Sequence, residues 1–483
     1  MKRREFLKAA GAGALILTIK DLPVFGKSKI KKPNIILCIA DDQGWGDVGY
    51  SGHPVLKTPN IDEMAANALR FDRFYAAAPV CSPTRASVLT GRHPNRFGCF
   101  TWGCTLRPQE ITIAESLKKA GYVTGHFGKW HLGSVLKNSP LNPGSSGFDE
   151  WVSSPNYFDN DPILSKMGTA VQYKGESSIV TVEVALEFIR KNTKSSQPFL
   201  AVIWFGSPHN PHDAAQENKV LYKNKNEKLQ NFYGEITGID NAIGKLRNEL
   251  RVLDIHQNTM LWYCSDNGGL KVSRTGGRGH KSEIYEGGLR VPALLEWPEF
   301  ITAPRITNAP CTTSDIYPTI MEFAEIKVNK ELPLDGISLV PLIANKTKAR
   351  SKPIGFWSYP SQGVVMSSKD EMTGLFESQK TRKEVNDLPS MSNVGTISQK
   401  YSYNSFLGHA AWLNWPYKLH RIENQQGIKM ELYDLAKDSM ESNNLSAKPD
   451  ITKKMRSELE HWMKSVVRSL NGEDYKSIKL EKQ

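Results

Sequence analysis

Two pairs of oxygen-bearing side chains stand out because each comes just after a short apolar run. Asp41-Asp42 come after residues 34–40, and Asp266-Asn267 come after residues 260–264. If those runs are strands, all four side chains emerge at strand carboxyl ends. Adjacent carboxylates repel each other unless a cation sits between them. Taken alone, Asp41-Asp42-Gln43-Gly44 reads as an ordinary solvated turn, but its recurrence in the same setting points to a cation site. Four oxygen donors suit a hard divalent ion, Ca²⁺ or Mg²⁺, and argue against zinc.

Two further apolar runs end in polar clusters. Gly128-Lys129-Trp130-His131-Leu132-Gly133 follows the run at 122–127, and Ser207-Pro208-His209-Asn210-Pro211-His212 follows the run at 199–205. A lone histidine is ordinarily a hydrogen-bonded structural side chain, and a lone lysine a surface one. In open α/β sheets, however, ligands bind outside the carboxyl ends of the strands, and four such ends here bear polar or charged groups. The segment Cys81-Ser82-Pro83-Thr84-Arg85, continuing to Gly91-Arg92, starts a helix with proline near its first turn. That places Cys81 at the positive end of a helix.

The elements that must position these groups are legible from periodicity. Strands are expected at 34–40, 122–127, 199–205 and 260–264. Helices are expected at 61–69, 111–120, 179–191, 232–250 and 316–323, where apolar residues recur at three- and four-residue steps. Alternation of the two is the pattern of an α/β fold with a mainly parallel sheet. Residues 366–400 are rich in Ser, Lys, Glu and Asn and are expected to form a long loop. Beyond them, 412–422 and 429–435 are expected to pair as a two-stranded hairpin, followed by an amphipathic helix at 451–470. The expected division is an export signal and linker at 1–30, a catalytic domain at 31–353, a polar loop or insertion at 354–400 and a small subdomain at 401–483.

Cys81-x-Pro-x-Arg85 followed by Ala86-Ser87-Val88-Leu89-Thr90-Gly91 resembles the signature of type I sulfatases. The resemblance runs through most of residues 33–345. It takes in Pro33-Asn34, Asp41-Asp42 through Asp47, Thr58-Pro59-Asn60-Ile61-Asp62, Gly128 through Gly133 and Tyr285 through Arg290. It resumes at Glu431-Leu432-Tyr433-Asp434 with Asn444-Leu445. The stretch between Cys81 and Asn156 is most similar to the branch containing arylsulfatase A and N-acetylgalactosamine-6-sulfatase. Asn67-Ala68 departs from the usual acidic or glycine residue there, a packing variation.

The resemblance implies an alkaline phosphatase-like α/β fold: a large mixed, mainly parallel sheet sandwiched by helices, with a small C-terminal α+β subdomain. It implies a metal, usually calcium, on Asp41, Asp42, Asp266 and Asn267, with Cys81 also in contact. It implies that Cys81 is oxidised to formylglycine by a formylglycine-generating enzyme, and that the hydrated aldehyde is the nucleophile. Arg85 and Lys129 would then hold the nucleophile and His131 would take the proton that lets the hydrate collapse. His209, Lys281 and Lys129 would bind the sulfate, His209 and Lys281 would help the alcohol leave, and Asn156 would give one more substrate contact. The chemistry is coherent: charge spreads over sulfate oxygens as the S–O bond breaks, so a metal and fixed cations stabilise the transition state most. The second hydroxyl of a hydrated aldehyde lets sulfate leave by elimination, an exit that serine lacks. A sulfated sugar or polysaccharide is the expected substrate. A phosphate or phosphonate ester hydrolase and a non-catalytic binder of sulfated glycans are the alternatives.

The formal net charge of +12 over 483 residues favours anionic partners. No stripe of Lys and Arg interleaved with aromatics marks a nucleic-acid surface, so nucleic acid is not expected. Arg3-Arg4 precede an apolar stretch at 9–19, as in twin-arginine export signals. A periplasmic or secreted protein is therefore expected, with an uncleaved signal acting as a membrane anchor as the variant. Of six cysteines, Cys38 and Cys264 lie in apolar runs and are expected to be core thiols. Cys99 and Cys104 form either a pair in an oxidising compartment or two free thiols.

Overall fold

Residues 34–40 form β1 (Asn34–Ala40), which is buried on both faces, as befits a strand that reads as one continuous apolar run. The computed structural model describes residues 32–195, 197–329, 331–381 and 395–475. The expected export signal at 1–30 lies outside the described residues.

β1 is central to a ten-stranded sheet with β2 (Leu69–Phe71), β4 (Val123–Lys129), β5 (Glu150–Ser154), β6 (Ile163–Lys166), β7 (Thr169–Gln172), β8 (Phe199–Trp204), β9 (Thr259–Ser265), β11 (Ala293–Glu296) and β12 (Arg305–Thr307). The order is β12-β2-β11-β9-β1-β8-β4-β5-β6-β7. The central strands β9, β1, β8, β4 and β5 run parallel, while β11 and the outer β6 and β7 pair antiparallel. A small second sheet joins β10 (Arg290–Val291), β3 (Phe74–Tyr75) and β13 (Cys311–Thr312).

Alternate residues of β1 point to opposite sides and belong to two different cores. Ile35, Leu37 and Ile39 pack with helices α2 (Cys81–Thr90), α3 (Ile113–Lys119) and α6 (Ile316–Phe323). Ile36, Cys38 and Ala40 pack with α1 (Pro59–Asn67), α4 (Ser177–Lys194) and α5 (Glu227–Val252). The sheet is therefore sandwiched by helices, as expected, and the four expected strands and five expected helices are all present. Among the described residues, no helix is long and apolar enough to cross a membrane.

The C-terminal third corrects three expectations. The run at 412–422 is not one strand. Trp415-Pro416 turns the chain, giving β15 (Gly408–Asn414) and β16 (Tyr417–Asn424), and β17 (Gly427–Asp434) follows. The expected hairpin is instead part of a four-stranded antiparallel sheet whose fourth member, β14 (Ile354–Ser358), comes from the segment expected to be a polar loop. That segment also holds α7 (Ser368–Lys380). The Ser367 side chain caps α7, Asp370 and Glu371 occupy its first turn, and Met372 and Leu375 enter the core of the large sheet. Its few apolar positions hide it from a periodicity reading. Helix α8 (Pro449–Leu470) packs on the four-stranded sheet through Leu459, Trp462, Met463 and Val466.

Candidate active site

The four neighbouring parallel strands β9, β1, β8 and β4 end at one rim, and there the chain places its charged side chains. Ala40 pairs with Ser265, so Asp41 and Asp266 leave adjacent strands side by side. Asp42 adopts a left-handed conformation, φ 71°, and its amide donates to Asp266 Oδ1 at 3.1 Å. At the end of β4, Gly128 has φ 97°, and a Cβ there would lie 2.0 Å from the Trp204 carbonyl oxygen, so only glycine fits. Lys129 then closes the strand. The amides of Trp130 and His131 donate to the Ser154 and Pro155 carbonyls, which fixes His131 at φ 54°. His209 follows β8. The Lys281 amide donates to the Gly269 carbonyl, and the next amide, of Ser282, donates to Pro79, so one loop joins Asn267-Gly268-Gly269 to the approach to Cys81.

Cys81 is the first residue of α2 and is 1% exposed. Thr84 anchors the turn before it, its hydroxyl donating to the Ala78 carbonyl at 2.9 Å. Ser82 accepts from the Gly103 amide, within the loop closed by a Cys99–Cys104 disulfide. Of the two sequence alternatives for those cysteines, the structure takes the bonded one. Burial pushes the Cys81 thiol above its usual range, and Lys129 and Lys281 only partly oppose this.

Each of the three buried carboxylates has a fixed cation. Asp266 accepts from Arg85 Nε at 3.0 Å and Nη2 at 2.7 Å. Asp41 accepts from Lys129 Nζ at 2.6 Å, and Asp42 from Lys281 Nζ at 2.6 and 2.8 Å. Arg85 also lies over the Trp204 ring at 5.1 Å. Even so, burial and the neighbouring Asp41 push the Asp266 carboxyl up to about 6. Burial acts the same way on Asp42, but Lys281 outweighs it and, with the Asn267 amide, holds that carboxyl below the usual range. Burial keeps His131 and His209 neutral, His209 being lowered to about 3. The 3.8 Å approach of His209 to Asp42 is therefore not an ion pair. His209 stacks on Tyr157 with ring centroids 4.2 Å apart.

The donor set fits a hard cation. Reactive atoms of Asp41, Cys81 and Asp266 lie within 4.8 Å of one another, as do those of Asp41, Asp42 and His209. Asp41 Oδ1 and Asn267 Oδ1 are buried without hydrogen-bond partners. The Asn267 amide nitrogen donates to Asp42 at 2.8 Å, which leaves its oxygen available. Buried unsatisfied oxygens and a strained carboxylate cluster cost free energy that a divalent ion would offset.

Cys81, His131, His209 and Lys281 line a cavity of about 850 Å³. Arg85 and Lys129 are wholly buried beneath it, engaged by carboxylates and not part of its lining. Asn156 stands in the wall, where its side-chain amide donates to the Met366 carbonyl and its backbone amide to Ser368 Oγ, both at 2.8 Å. Sequence reasoning missed other parts of the wall, Trp102 and residues 365–369 with Met372. The sequence signal for Trp102 is its place between two cysteines, and the start of α7 carries no local signal.

The architecture is alkaline phosphatase-like. Residues 33–326 match the model of a protein family described as Sulfatase, and the chain belongs to that family, the sulfuric ester hydrolases. Mouse (Mus musculus) N-acetylgalactosamine-6-sulfatase is 32% identical over 392 residues, covering 72% of each chain. Human (Homo sapiens) arylsulfatase A is 31% identical over 386 residues, covering 73% of this chain and 74% of the other. The crystal structure of Ps i-CgsB in complex with k-i-k-neocarrahexaose has a TM-score of 0.75 at 24% identity, covering 92% of this chain and 97% of that one, a likeness of fold.

Proposed function

We propose that the chain removes sulfate from a sulfated carbohydrate, with Cys81 matured to formylglycine and Ca²⁺ on Asp41, Asp42, Asp266 and Asn267. The observation that carries this reading is the meeting of Cys81, which lines the cavity with His131, His209 and Lys281, with the buried Asp41 and Asp266 behind it. The bound ion would supply Lewis-acid stabilisation of charge on the sulfate oxygens. The matured Cys81 side chain would supply an attacking hydroxyl and a second one that permits sulfate release.

The remaining roles belong to the chain's own side chains. Lys281 and His209 reach the cavity floor and would bind sulfate oxygens. His209 has an unpartnered Nδ1 and, protonated under the negative charge of a bound sulfate, would donate that proton toward the departing alcohol oxygen. Neutral His131, with both ring nitrogens unpartnered, suits proton acceptance from the Cys81-derived hydroxyl. Arg85 and Lys129 act from behind, holding Asp266 and Asp41 in place. A sulfated sugar as substrate is supported by the relative that carries the name N-acetylgalactosamine-6-sulfatase.

Steady-state rates on matched sulfate and phosphate monoesters test the reaction class. Sulfate should be preferred, and a clear preference for phosphate would overturn the reading. Mass spectrometry of the tryptic peptide 74–85 tests the nucleophile: in active native protein the Cys81 side chain should have become an aldehyde, with oxygen in place of sulfur and two hydrogens fewer. Arg3-Arg4 and the apolar stretch after them support twin-arginine export to the periplasm or medium. That route carries folded chains, so the exported protein should already bear the modified residue. An exported pool holding only the unmodified thiol would contradict this.

A further inference from the structure

The chain is strongly basic, yet the cavity above its floor is not. The ionisable groups lining it, apart from Cys81, Tyr157 and the two histidines, are Lys281 and Lys369 against Asp159, Asp161 and Asp213. Lys281 is paired with Asp42. Asp161 is occupied in its own turn, accepting from the Gly175 amide at 2.8 Å and approached by Lys174. This leaves Lys369 facing two carboxylates, Asp159 and Asp213, whose oxygens have no hydrogen bond or ion pair among the described residues. The two interact: burial and then Asp213 raise the Asp159 carboxyl, while Lys369 pulls it down.

Other lining groups point to a bound molecule rather than a bare acidic rim. His131 is 2% exposed, and neither of its ring nitrogens has a partner. Tyr157 lies flat against His209, and Trp102 is 38% exposed on the cavity wall. Aromatic faces pack on the apolar face of a pyranose, and carboxylates are acceptors only, so they suit hydroxyl donors. A second sulfate or a carboxylate placed near Asp159 and Asp213 would meet like charge. The cavity lies within the range of about 300–1,000 Å³ usual for small-molecule sites.

Resting on the sulfatase reading above, we infer that the site selects a singly sulfated sugar, whose free hydroxyls donate to Asp159 and Asp213 and which carries no second anionic group there. The net positive charge of the chain therefore does not measure the charge of its substrate.

The test compares kcat/KM of mature enzyme on 4-nitrophenyl sulfate, on a monosulfated N-acetylhexosamine and on the same sugar with a second sulfate. Wild type should prefer the monosulfated sugar by about tenfold or more. In the double variant Asp159→Asn, Asp213→Asn the monosulfated rate should fall and the disulfated rate rise, shrinking that ratio by about tenfold. Both positions are exposed, so the variant should keep its thermal midpoint, which is measured alongside. A wild-type preference for the disulfated sugar, or a ratio unmoved by the substitutions, overturns the inference. So does turnover of the aryl sulfate with neither sugar accepted. Failure on all three sulfates would instead remove the sulfatase reading, and the inference with it.

Discussion

Lys129→Ala should lower kcat on a sulfate ester by about 10²–10³-fold, the usual cost of losing one fixed group that stabilises transition-state charge. Lys129 is wholly buried and its ammonium sits 2.6 Å from Asp41 Oδ2. The other oxygen, Oδ1, already lacks a hydrogen bond and has only Arg85 at 3.7 Å. Removing the lysine leaves a buried carboxylate beside Asp266, whose own carboxyl is already pushed up to about 6. The two adjacent carboxylates then repel with one fixed cation fewer, and Asp41 loses the contact that holds it in place as a cation ligand. Because Lys129 does not line the cavity, the loss should fall on kcat more than on KM. Breaking a buried pair also costs stability, so the measurement needs a folding control and a companion variant. His209→Ala serves, since its ring is partly exposed on the cavity and carries little of the fold. It should show a kcat loss of similar size, about 10²–10³-fold, with an unchanged thermal midpoint. Full turnover by either variant would remove that residue from the machinery.

Lys418→Met should destabilise the chain by roughly 3–5 kcal/mol, the cost of leaving buried charges without their partner. Lys418 lies on β16, is wholly buried, and contacts Glu286 at 3.0 Å and Glu441 at 3.1 Å. Burial disfavours its charge, but the two carboxylates outweigh this and raise its pKa. Without the ammonium, Glu441 still accepts from the Glu286 amide at 2.6 Å and faces His420 at 2.7 Å. Glu286 keeps the Tyr75 hydroxyl at 2.9 Å. Two carboxylates then share a dry space with too few donors, and one must take up a proton or the sheet must separate. Denaturant unfolding measures the effect, and a change under about 1 kcal/mol would mean that water or rearrangement satisfies the carboxylates. Glu286 opens the short helix Glu286–Leu289 directly after the loop that carries Lys281 and approaches Cys81, so the C-terminal sheet props the site from behind. Residual activity of the folded variant should therefore fall as well.

The sequence by itself determined which side chains stand at the strand ends. A strand buried on both faces reads as an apolar run, so the polar residues that follow mark its end, as Asp41 does after β1; β4 is less clean, because buried Thr124 and His126 precede Lys129 within it. The helix that starts at Cys81 was equally legible, because a proline in the first turn and consecutive small residues are local signals.

Only the tertiary structure decided which of these groups meet. The order β9-β1-β8-β4 is not the order of the chain, so no spacing pairs Lys129 with Asp41, Arg85 with Asp266 or Lys281 with Asp42. The cavity wall built from Trp102 and the start of α7, the turn of Asn156 toward Met366, and the joining of β14 to the C-terminal sheet were likewise hidden. Periodicity reports burial within a few turns of chain, whereas ion pairs and cavity walls form between segments whose contact depends on how the whole sheet is stacked.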